Sequence, residues 1–124
     1  MIYRDPLPDG CPTSESKIVA EEIDVYRLVK QIPPTLNDFL SQRTEKPNGT
    51  FRVSECQACG LSIFMERQDC AKMQKLPALR GRHLCRVQLT EGAGRVQKTG
   101  QNSHHTWWPF RNFDILSHCE VETP

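Results

Sequence analysis

"HLCRVQLTEGAGRVQKT", residues 83 to 99, decides the fold. In "HLCRVQL" (83 to 89), Cys85, Val87 and Leu89 fall on one face and Arg86 and Gln88 on the other. That period of two belongs to a strand with one buried side. "EGAG" (91 to 94) is a turn, and "RVQKT" (95 to 99) is the strand that returns from it. "HHTWW" (104 to 108) supplies a further strand, and "HCEVE" (118 to 122) the last. Connections of hairpin length join antiparallel neighbours, because a parallel pair needs a long crossover.

Upstream the same reading extends to a mixed fold. "DVYRLVK" (24 to 30) is β-branched and aromatic, and "LSIFM" (61 to 65) is a second early strand. Between them, Pro33 and Pro34 stop the first strand. Thr35 with Asp38 three residues on then predicts a short helix over 36–42, turning Leu36, Phe39 and Leu40 inward. Cys70, Met73 and Leu76 recur at helical spacing in "ERQDCAKMQKL", and Pro77 ends that helix. The order β-α-β-α-β-β-β-(α)-β predicts an α+β fold: one compact domain over 18–124, a mainly antiparallel sheet and two or three short helices. Residues 1–17, with Pro6, Pro8, Gly10 and Pro12, read as an irregular lead-in.

With 124 residues the chain has room for one modest core and no separate cofactor domain. No apolar run approaches the ~20 residues that span a bilayer, which argues against a membrane role. The N-terminus lacks the apolar core of a secretory signal. The net charge of +1 hides an asymmetry. Residues 1–24 carry six acids against two bases, whereas 72–111 carry eight bases against Glu91 alone. A segment that basic attracts phosphate-bearing partners. Arg80, Arg82 and Arg86 of "RGRHLCR" form a candidate phosphate grip. No aromatics interleave with them in sequence, which argues against nucleic acid.

Both tryptophans and two of the four histidines fall within residues 104–108. Alternation places His104, Thr106 and Trp108 on one face and His105 and Trp107 on the other. The expectation is one tryptophan in the core and the other partly exposed beside a histidine, ready to stack on a base, a nicotinamide or a sugar. An exposed indole would equally suit a non-enzymatic module docking a protein partner.

The six cysteines, at 11, 56, 59, 70, 85 and 119, are irregularly spaced. With no export signal, that spacing predicts reduced thiols and a cytoplasmic protein. Cys56 and Cys59 in "ECQACG" have the C-x2-C spacing of a zinc knuckle, with His83 and Cys85 or His118 and Cys119 as further ligands. Zinc is therefore the alternative to a metal-free site.

"VYRLVK" opening a sheet, "GLSIF" as a later strand and "DCAKMQ" on the helix after it together resemble the compact ADP-ribosyltransferase-like fold, including its small bacterial RES-type members. The resemblance covers residues 24–122 and rests on element order with short motifs. It implies a small effector of the toxin or defence type that binds NAD or a related phosphate-bearing nucleotide. Arg27 would touch the dinucleotide, and His104 or His105 would orient the sugar or move a proton. Ser62, Phe64, Trp107, Trp108, Arg80 and Arg82 would line the substrate site. It further implies that the strand of Arg27 adjoins the strand of His104 and His105. The late-strand glutamate common in such transferases is missing from "HHTWW".

Overall fold

The structure, a computed structural model, describes residues 2–122. Its elements are β1 (Lys17–Ile18), β2 (Ile23–Val29), α1 (Gln42–Glu45), α2 (Glu55–Ala58), β3 (Leu61–Phe64), α3 (Arg67–Met73), β4 (His83–Leu89), β5 (Gly94–Lys98), β6 (His104–Pro109) and β7 (Cys119–Val121). All seven strands form one sheet in the order β1-β5-β6-β3-β2-β4-β7, and every pairing is antiparallel. The fold is α+β, as the alternation in 83–99 requires.

The core follows from that alternation. Val25 stands opposite Val87 in the β2–β4 ladder, and Leu61 opposite Trp107 in the β3–β6 ladder. These four join Val29, Ile63, Cys85, Leu89, Phe39 and Ile115 in one buried cluster. Its apolar area is the main stabilising term of a domain this size. Gly94 has φ +130°, and a Cβ there would collide with the Trp108 carbonyl oxygen. Only glycine lets β5 begin so close to β6.

Three expectations about elements need correction. The helix expected over 36–42 is a 3-10 turn at Leu36–Phe39 followed by the separate one-turn α1. The break comes at Ser41, whose hydroxyl caps α1 by accepting from the Thr44 N–H. Phe39 is buried as expected, but Leu36 is 55% exposed and Leu40 half-buried. The strand of Arg27 does not adjoin that of His104 and His105: β3 lies between β2 and β6. The cysteines are not all reduced, because Cys11 and Cys56 form a disulfide.

Residues 2–16 contain no helix and no strand beyond the single bridge Tyr3–Phe110, yet they are fastened to the sheet. The Arg4 N–H donates to Pro109 O, and the Arg4 guanidinium to Phe39 O. Arg95 on β5 donates to both the hydroxyl and the carbonyl of Ser16. No helix among the described residues is long and apolar enough to cross a membrane.

Candidate functional site

β2 and β3 pair only at Tyr26–Phe64 and then part. Arg27 is the next residue, and its side chain bridges the opening. Its Nη1 donates to Ser62 O (2.8 Å) on β3, Nε to Asp38 O (3.0 Å) and Nη2 to Leu40 O (3.4 Å). A guanidinium carries five fixed donors, so one side chain can replace a missing stretch of ladder. Burial pulls Arg27 down to about 10, so it stays charged at neutral pH. Among the described residues, no carboxylate lies within ion-pair distance of it.

Ser62 faces Thr106 and Phe64 faces His104 across the β3–β6 ladder, so these four side chains share one face. The Phe64 and His104 rings meet edge to face with centroids 5.2 Å apart. His104 Nδ1 lies 3.1 Å from Thr99 O and 3.0 Å from Thr99 Oγ1, which in turn bonds Thr106 Oγ1 at 2.8 Å. A carbonyl only accepts, so Nδ1 carries the proton and Nε2 keeps a free lone pair. Burial lowers the His104 pKa, so the ring is neutral at neutral pH.

Arg27, Ser62, Phe64, Arg82 and His104 line one cleft of about 330 Å³. A second hollow of about 260 Å³ adjoins it, shares Arg27, Gln42, Ser62 and His104, and adds Glu45 and Gln57. Among the described residues, the Arg82 side chain makes no hydrogen bond or ion pair. A larger hollow of about 820 Å³ lies elsewhere, between the turn at Glu91–Gly92 and Phe110–Asp114. Its histidine, His118, is held by Asp114 O and stacked on Phe113, so its polar groups serve the loop.

Other residues singled out in the sequence stand apart from the cleft. His105 faces Ile63 on the opposite side of β6 and bonds Ser103 O through Nδ1. Arg80 is exposed and does not line the cleft. The expectation of one exposed tryptophan is overturned: Trp107 is 0% and Trp108 2% exposed. Trp107 Nε1 donates to Ala93 O, while Trp108 Nε1 donates to Cys56 O beneath α2. The sheet is covered on both faces at β6, so alternation sends the two indoles to different covers rather than one to solvent. Neither offers a flat patch to a protein partner. The zinc alternative also fails on this geometry, since Cys56 is spent in the disulfide. Cys59 donates its thiol proton to Glu55, and burial with that carboxylate pushes it up to about 11.

The sequence reading missed Thr99, Gln42, Glu45 and Gln57. Thr99 sat at the end of a strand with no motif around it, and the other three reach the site only through the packing of α1 and α2. No family model, no curated protein and no solved structure matches the chain.

Proposed function

We propose that the chain binds a phosphate-bearing nucleotide, NAD included, in the cleft between Arg27, Arg82 and His104. The observation that carries this reading is the convergence of two guanidinium groups, neither paired with a carboxylate, on an aromatic pair in one hollow. Arg27 commits three of its five donors to carbonyls and contributes a fixed positive charge to the cleft. Arg82 has its whole fork free for bidentate contact with a phosphate. His104 offers Nε2 to a sugar hydroxyl or takes a proton from one, and Ser62 adds a hydroxyl. Phe64 gives a base an apolar surface. Transfer of an ADP-ribosyl group would need a carboxylate near the sugar, and Glu45 is the one that the adjoining hollow supplies. The disulfide favours an oxidising compartment over the cytoplasm.

Calorimetry with NAD, ADP-ribose and AMP tests this on the intact, oxidised chain. Arg82→Gln removes a cation that holds no structural bond, so the melting temperature should stay put while affinity falls about tenfold, the worth of a charge-assisted contact. Absence of any binding heat up to millimolar nucleotide would end the reading.

A further inference from the structure

We infer that the nucleotide taken by the cleft belongs to a single-stranded nucleic acid, whose backbone runs out over a basic rim formed by Lys72, Lys75 and Arg80. This rests on the reading of the cleft as a nucleotide site and adds what the rest of the ligand is.

The fold sorts the eight bases of 72–111 into three sets. Arg86 is paired with Glu120, Arg95 is bound to Ser16, and Lys98 to Gly100 O, so those three serve the structure. Arg111 lies beside the separate large hollow. The remaining four, Lys72, Lys75, Arg80 and Arg82, make no side-chain bond among the described residues. All four lie on the segment from α3 to the start of β4. Met73 and Leu79 of that segment line the cleft, and the exposed free bases Lys72, Lys75 and Arg80 are their near neighbours in the chain.

Asp69 of α3 is the segment's one acid and lies near Lys72, and none follows it up to residue 90, so a single carboxylate stands against four free bases. Asp69, the nearest carboxylate in sequence, accepts from the Ser103 N–H. The sequence separates these bases from aromatic residues, but the structure brings Phe64 and His104 to Arg82 across three strands. Stacking surface in a cleft, with unpaired cations on the segment that borders it, is the combination that holds a single strand without reading its sequence. A free mononucleotide would leave the three rim cations unused.

The test uses AMP and a fluorescein-labelled, ten-nucleotide single-stranded oligoadenylate on the whole oxidised chain. The decamer should bind at least tenfold more tightly than AMP and be displaced by it. Its affinity should fall with salt at a log–log slope of about −3, the value for four phosphate contacts on a single strand. Lys72→Gln, Lys75→Gln and Arg80→Gln together should cut that slope to about −1 and bring the decamer to within threefold of AMP. AMP affinity and melting temperature should not move, since the three side chains hold nothing in the fold. Equal affinities for decamer and AMP would overturn the inference while leaving the nucleotide site standing. Failure of both to bind would overturn both. A decamer that AMP cannot displace, or a ten-residue polyglutamate that binds as tightly and is displaced as well, would assign the rim to generic or acidic-protein contact and also overturn it.

Discussion

His104 shows how little a side chain needs to become a usable base. Thr99 fixes its Nδ1, Gly100 packs against its ring at a φ of +62°, and burial keeps it neutral. Its folded-state pKa therefore lies below the ordinary 6.5. As pH falls, the unfolded chain takes up the proton first, so stability held above about 6.5 is lost as pH drops through the folded value. Urea midpoints measured from pH 7.5 to pH 5 should decline in the wild type and decline less in His104→Gln. Trp107 and Trp108 belong to the same scale. Each fills a buried site and donates its N–H to a carbonyl, so Trp107→Ala and Trp108→Ala should each cost about 3–5 kcal/mol in chemical denaturation. Loss from only one of them would mean that the other is not packed as described.

At the scale of elements, Arg27 joins what β2 and β3 leave apart. Arg27→Met keeps much of the volume and strips the donors from Ser62 O, Asp38 O and Leu40 O, at a cost of about 2–4 kcal/mol. Arg27→Lys should recover little, because an ammonium on a flexible stem cannot hold three carbonyls in fixed directions. Equal stability of all three proteins by thermal melts would show that the opening closes without the guanidinium. This element pair also marks how far the sequence could be read. "HLCRVQL" and "DVYRLVK" declared their strands because burial and alternation are local, and Cys85, Val87 and Leu89 lie where that period puts them. Which strands sit side by side is not local. Nothing in "GLSIF" says that it stands between Arg27 and His104, although that placement is what brings the two into one cleft. Ser62, Phe64, Arg82 and His104 were therefore legible as candidates by residue type. Thr99 and Glu45 were not, since each acquires its meaning only from a neighbour far along the chain or across a turn. His105 and the tryptophans misled for one reason: alternation gives the direction of a side chain but not what covers it.

At the scale of the whole molecule, the Cys11–Cys56 bond ties the irregular N-terminal stretch to α2 across a sequence separation of 45 residues. In the chain-entropy account, a loop of that length contributes about 4 kcal/mol by restricting the unfolded state. Thiol counting in denaturant should give four free groups, Cys59, Cys70, Cys85 and Cys119, and six after reduction. Cys11→Ser should unfold at a lower urea concentration. The bond also makes the stretch between its ends a closed ring, and α1 with its exposed flank at 44–48 lies inside it. A ring can be opened once without coming apart. A protease cutting only after Glu45 would leave two polypeptides that still travel as one band under denaturing, non-reducing electrophoresis and part only when thiol is added. The first piece carries β2, which lies between β3 and β4 of the second. The chain is thus built to tolerate the loss of a peptide bond there, with its two halves held both by a covalent link and by the middle of the sheet.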